Sequence, residues 1–368
     1  MDARERVMRV LHHQEADRVP IDLGGAACSL TDEAYFRLKR YFGIKEDIAP
    51  FRRHSTSTYY DERILNRLGI DFRRIMLPGR PRKEESGDQM HFVNLWGVRH
   101  VWNGDFCSPC ETPLKEADLE ALDTYPWPKA EDYFCMDGLE ETAKRLYENS
   151  SYALVARMPC WGLFDIAHQL RGMESFFIDM LEEPEFAHRL VDKILQCELD
   201  IYGAFLDRVG PYVQIVETCD DYGSQTGPMF SRELFQEFFK PARTRLNQFI
   251  HEKAPDAKIF LHCCGGIASF LPDIIDTGVE ILNPIQPGAA GMDPKILKET
   301  YGDSLVFHGC IDTQRALRGS VEDTRKEVKE KVATLYHKGG YIVAPANHIM
   351  RDVPPENIIA MYQAATEL

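Results

Sequence analysis

Short apolar runs that end in polar or glycine residues alternate along this chain with stretches of helical spacing. Such alternation predicts parallel βα units. Eight runs qualify: residues 18–23, 70–76, 152–158, 212–219, 258–263, 279–284, 305–310 and 341–345. Between them apolar residues recur three and four apart, as at Leu234 and Phe238 or at Leu271, Ile274 and Ile275. That is the spacing of helices with one buried face. Eight units in 368 residues fit a single (β/α)8 TIM barrel, one domain over residues 1–368, better than an open sheet. A dinucleotide-binding sheet would carry a full GxGxxG after its first strand, and Gly24-Gly25 lacks that spacing,. Between the second and third runs the chain inserts a segment that begins at residues 77–83. Within it, residues 90–94 and 98–102, joined through Leu95-Trp96-Gly97, read as an inserted β-hairpin,.

No apolar run is long enough to cross a membrane, and the charged start Met1-Asp2-Ala3-Arg4-Glu5-Arg6 does not read as a secretory signal,. A cytoplasmic location is expected, with the ten cysteines reduced,. The formal charge of −15 argues against nucleic acid as a partner, while leaving room for an anionic small molecule in a local basic pocket.

In barrels of this kind the chemistry sits at the C-terminal ends of the strands. The polar run ends are Glu217 to Asp221, His262-Cys263-Cys264-Gly265, Asn283, His308 to Asp312, and Asn347-His348, all on what should be one rim. Residues two apart on a strand share a face, so His262 and Cys264 point inward together. An imidazole nitrogen with a thiolate sulfur suits zinc, although a buried His beside a buried Cys is also ordinary core packing. The position at a strand end before Gly265-Gly266 favours the metal reading. A catalytic zinc takes a third protein ligand, for which Glu217, Asp220, Cys310 and His348 are candidates. Cys310 reads equally well as a packed core thiol. Asp220 and Asp221 orient substrate or cap the next helix. Trp161, Phe164, Tyr222 and Phe230 line an apolar pocket or pack the core, and Asn347 stands with His348 beside the site,.

Several of these segments, in this order, resemble the uroporphyrinogen decarboxylase superfamily over nearly the whole chain. They are Arg4-Glu5-Arg6-Val7, Asp17-Arg18-Val19-Pro20, Leu170-Arg171-Gly172, Asp220 to Gln225 and His262-Cys263-Cys264-Gly265. Asn283-Pro284-Ile285-Gln286-Pro287, Gly309 to Gln314 and Asp352 to Asn357 complete the series. Within the superfamily the chain looks most like the corrinoid-dependent methyltransferases that demethylate methoxylated aromatics or methylate coenzyme M. The resemblance implies that His262 and Cys264 bind Zn(2+), with Glu217 and Cys310 as further ligands. It implies that a corrinoid (cobalamin) carried by a separate, transiently docked protein takes part, with a homodimer allowed. Asp220, Asp221 and His348 would then be catalytic, and Trp161, Phe164, Tyr222 and Asn347 would bind a small methyl donor.

Two departures shape that expectation. Decarboxylases carry an arginine-rich segment after the first strand to hold a polycarboxylate, whereas residues 22–28 here contain no arginine,. Thiol-methylating members supply another cysteine after the last strand, where this chain has Ala346-Asn347-His348. Demethylation of an ether is therefore expected ahead of thiol methylation or decarboxylation.

Overall fold

A computed structural model describes residues 1–25, 27–52, 55–80, 91–103 and 106–368. In chain order, strand β1 (Phe72–Ile75) is followed by β2 (His91–Val93), β3 (Arg99–Asn103) and β4 (Phe106–Glu111). Next come β5 (Ala153–Ala156), β6 (Ile215–Cys219) and a two-stranded ribbon of β7 (Gly223–Ser224) and β8 (Gly227–Pro228). The chain finishes with β9 (Lys258–His262), β10 (Ile281–Ile285), β11 (Val306–Ile311) and β12 (Tyr341–Pro345). Seven of these form one curled parallel sheet in the order β1-β5-β6-β9-β10-β11-β12.

Strands buried on both faces read as continuous apolar runs because helices cover the outside while side chains fill the inside. Accordingly β5, β6, β10, β11 and β12 are buried at every residue. The covering helices bury one stripe each. The longest, Pro184–Val209, opens on a proline whose missing N–H costs nothing in a first turn,. It seats Leu190, Ile194, Ile201 and Phe205 in the core.

The first apolar run does not form a regular strand. Only Ile21 bridges β12, at Val343. Val343 N–H donates to the Pro20 carbonyl, Asp22 N–H donates to the Val343 carbonyl, and on the other side Asp71 N–H donates to the Ile21 carbonyl. Residues 20–22 thus touch both edges of the curled sheet. Pro20 has no N–H to give, and the Ile21 N–H is spent on the Asp71 carboxylate at 2.9 Å, so the ladder stops at one bridge.

In the inserted segment β2 pairs antiparallel with β3, and β3 pairs with β4. The third strand was not expected, since Cys107, Pro109 and Cys110 give Phe106–Glu111 little strand character,. Residues 81–83 and 90 of the expected linker and hairpin lie outside the described residues.

Candidate metal centre

β9 ends at His262, and the chain carries Cys264 out over the rim two residues later. The Cys264 Sγ lies 3.3 Å from His262 Nε2. Asp221, two residues past the end of β6, completes the group: its Oδ1 is 3.8 Å from His262 Nε2 and accepts the Cys264 backbone N–H at 2.7 Å. Ligand atoms of Asp221, His262 and Cys264 all lie within 4.8 Å of one another. Nitrogen, sulfur and oxygen donors at this spacing fit a zinc ion with a position left open. Burial pushes the Cys264 thiol well above its ordinary value, with the Asp221 and Asp165 carboxylates adding to the effect. A divalent cation supplies the charge that such a thiol needs to ionise.

A chain of side chains behind His262 sets its tautomer. His262 Nδ1 lies 2.6 Å from Asn283 Oδ1, and an amide oxygen only accepts, so Nδ1 carries the proton and Nε2 keeps its lone pair,. The Asn283 amide donates to His308 Nδ1 at 2.8 Å, and His308 Nε2–H donates to Asp22 Oδ2 at 2.8 Å. Arg74 grips the same Asp22 carboxylate and reaches Glu217 Oε1 at 3.1 Å. Asn283 and His308 stood among the polar run ends of the rim without an assigned role, and Asp22 did not stand out in the sequence. A metal-binding histidine usually has such a partner on its other nitrogen, and Asn283 lies opposite His262 in the β9–β10 register.

Glu217 is therefore not beside His262. The β6–β9 register pairs Cys219 with His262 and Glu217 with Phe260. Glu217 thus sits two residues, about 7 Å, deeper along the strand. Cys310 is also elsewhere. Gly309 and Cys310 both have positive φ, which breaks the in–out alternation after His308. The buried Cys310 thiol lies among charges of the helix Val321–Leu335, Lys331 and Glu327 first, and burial pushes it up.

Asp220 is fully occupied by structure. Its Oδ1 accepts the Phe164 and Asp165 N–H groups at 3.0 and 3.1 Å, capping the helix Leu163–Arg171, whose own preceding residue is a glycine,. Its Oδ2 takes the Tyr222 hydroxyl at 2.6 Å and Arg243 Nη2 at 3.0 Å. Tyr222, Phe164 and Phe230 belong to one aromatic cluster with Phe239. Phe164 and Tyr222 are fully buried in it, so these two pack the core rather than line a pocket. Trp161 is 48% exposed and Asn347 is exposed.

Asp165 is a residue that sequence reasoning passed over, although an acid in the first turn of a helix leaving the rim was the available signal. Its Oδ2 accepts the Asp221 N–H at 3.2 Å. Burial, then the charges of Asp221 and Asp220, push it well above the usual carboxylate range. The shift favours the protonated form of this carboxyl. His348 Nδ1 accepts the Ser29 N–H at 3.3 Å, which leaves the hydrogen on Nε2,. Burial, then Arg52, His262 and Arg157, hold it down at about 3. At neutral pH it is a hydrogen-bond donor and has no spare proton to release, which removes it as a general acid.

A sequence model described as uroporphyrinogen decarboxylase (URO-D) matches residues 109–368. The chain belongs to the uroporphyrinogen decarboxylase family. Among solved structures, a methyltransferase from Methanosarcina mazei aligns over 100% of this chain and 99% of its own at 18% identity, with a TM-score of 0.68. That likeness is one of fold, and it agrees with the curled parallel sheet of the family. A B12-independent methionine synthase from Shewanella sp. W3-18-1, in complex with selenomethionine, aligns over 73% of this chain and 70% of its own. Its identity is 12% and its TM-score 0.39, too low to argue from. No curated protein matches in sequence.

Proposed function

We propose that this member of the uroporphyrinogen decarboxylase family is a zinc-dependent methyltransferase that moves a methyl group from a small methoxylated aromatic to a corrinoid carried by a partner protein. The observation that carries the reading is the convergence of Asp221, His262 and Cys264 at the rim, with Asp165 beside Asp221. The fold shared with a methyltransferase agrees with it. When bound by those three side chains, zinc supplies Lewis-acid polarisation of an ether oxygen, whose departure as an alkoxide or phenoxide is otherwise slow.

The chain's own groups do the rest. Asp165 holds a proton beside the site and can give it to the departing oxygen. The neutral His348 offers its Nε2–H as a hydrogen-bond donor, and the Asn283–His308–Asp22 chain keeps the His262 lone pair aimed at the metal. The exposed Trp161 offers a ring face to the donor or to the docking corrinoid protein. A porphyrinogen decarboxylase holds several carboxylates at once; residues 22–28 supply no arginine for them, and the interior Arg74 is already committed to Asp22 and Glu217.

Elemental analysis of the purified protein should give about one zinc per chain, lost in His262→Ala and Cys264→Ala. Mixing enzyme, reduced corrinoid protein and methoxylated aromatics should change the corrinoid absorbance, and uroporphyrinogen should not be decarboxylated. Equal metal in wild type and Cys264→Ala would sink the reading.

A further inference from the structure

Arg157 follows β5 directly, so its side chain leaves the sheet at the rim, where it is 8% exposed. Its Nε and Nη2 are buried without a hydrogen-bond partner. Its guanidinium carbon lies 5.7 Å from the centroid of the Phe51 ring, and that of Arg52 lies 5.0 Å from the same ring. Arg52 spends its Nε on the Ser57 carbonyl at 2.7 Å. Among the described residues neither arginine has an ion-pair partner.

A buried guanidinium is costly to leave unpaired, and proteins normally supply it with an anion. The neighbouring Arg74 is the satisfied case, with Asp22 and Glu217 both in contact. Glu217 draws on Arg157 through space, yet its own Oε2 is also without a partner, so the two do not hydrogen-bond. The mutual repulsion of the two arginines adds to burial in bringing Arg52 down to about 9. Both also act on His348 together with His262, which ties them to the rim that carries the candidate metal centre. The site therefore has two cations facing one aromatic ring; Glu217 and Asp32 act on them only through space, with no ion-pair contact among the described residues.

We infer that Arg157 and Arg52 hold a carboxylate of the methyl donor, which makes the donor class a methoxylated aromatic acid; this rests on the proposed function for the identity of the methyl group. A planar guanidinium fork matches a carboxylate. Phe51 and Trp161, the latter four residues past Arg157, supply ring faces for the rest of the molecule.

The test is calorimetric binding of benzoate, 3-methoxybenzoate and 4-methoxybenzoate to the zinc-loaded protein, each against its neutral amide. Wild type should prefer an acid over its amide by roughly 10- to 100-fold. Arg157→Met and Arg52→Met should each lose most of that preference while keeping wild-type zinc content, and Arg157→Lys should keep part of it. Equal affinity for acids and amides, or no binding of any acid, overturns the inference, as does a preference that survives in both methionine variants. Methyl transfer from neutral aryl ethers with no acid preference would leave the proposed function standing and remove this site. Arginine-dependent acid binding without methyl transfer would do the reverse.

Discussion

At Asn283 one side-chain amide joins two imidazoles, accepting from His262 Nδ1 and donating to His308 Nδ1. Both contacts are directional, so Asn283 would act on the proposed metal through the tautomer and orientation of His262. Asn283→Ala removes both and should weaken zinc binding roughly 10- to 100-fold, measured by competition with a chelator. Asn283→Asp keeps an acceptor for His262 and loses only the donor to His308, so its zinc affinity should lie nearer to wild type. If the two variants lost zinc equally, the hydrogen bond to Nδ1 would not be what matters. The pairing of His262 with Cys264 was anticipated from strand parity, although β9 ends at His262 and Cys264 reaches the same point from the loop beyond it. Asp221 was harder to single out as their neighbour, since β6 stops at Cys219 and alternation ceases to apply beyond it. Asp22, Arg74 and Glu217 were illegible as one network. Arg74 is 52 residues from Asp22 and 143 from Glu217 in sequence, with no local pattern to connect them.

Among the elements, the exit of β6 ties two helices together through Asp220. It caps the helix Leu163–Arg171 and pairs with Arg243 of the helix Lys240–Lys253, both side chains being fully buried. Gly162 permits the contact, because a Cβ there would run into the Cys219 carbonyl and the Asp220 carboxylate. Asp220→Ala leaves Arg243 buried and unpaired, and should cost about 3–5 kcal/mol of stability. Asp165→Asn strands no buried guanidinium, its ion-pair neighbour being His168 at 3.7 Å, and should slow methyl transfer by roughly 100- to 10,000-fold with a much smaller change in stability. Urea melts and initial rates on both variants separate the roles; a stable, inactive Asp220→Ala would return that residue to the chemistry. Strand existence was readable for seven of the eight runs because an apolar run between helical segments has few other uses in an α/β chain. The exception, residues 18–23, failed for a tertiary reason: a side chain from far along the sequence takes the N–H that a strand would have used.

That side chain, Asp71, decides how the molecule closes. It is buried, and its carboxylate accepts Arg6 Nη1 at 2.7 Å, Arg18 Nη1 and Nη2 at 2.8 and 2.9 Å, and the Ile21 N–H at 2.9 Å. The N-terminal helix Ala3–Leu11, which carries Arg6, is thereby fastened to residues 20–22, the segment that touches both edges of the sheet. The same segment carries Asp22, the far end of the chain of contacts that orients His262. Asp71→Asn keeps the shape and removes the charge. Arg6 retains Asp17, whereas Arg18 is left without its carboxylate, so a loss of about 3–5 kcal/mol is expected in urea unfolding. Lys326→Ala, which removes an exposed pair with Glu330 at 3.9 Å, should change stability by no more than about 0.5 kcal/mol. Hydrogen exchange should locate the damage: the amides of Asp22 and Val343 should lose protection in Asp71→Asn ahead of those in β6 and β9. Zinc should also be released more readily, because loosening residues 20–22 withdraws Asp22 from His308. Uniform loss of protection across the sheet, with zinc retention unchanged, would mean that Asp71 stabilises the fold at large and has no particular hold on its closing segment.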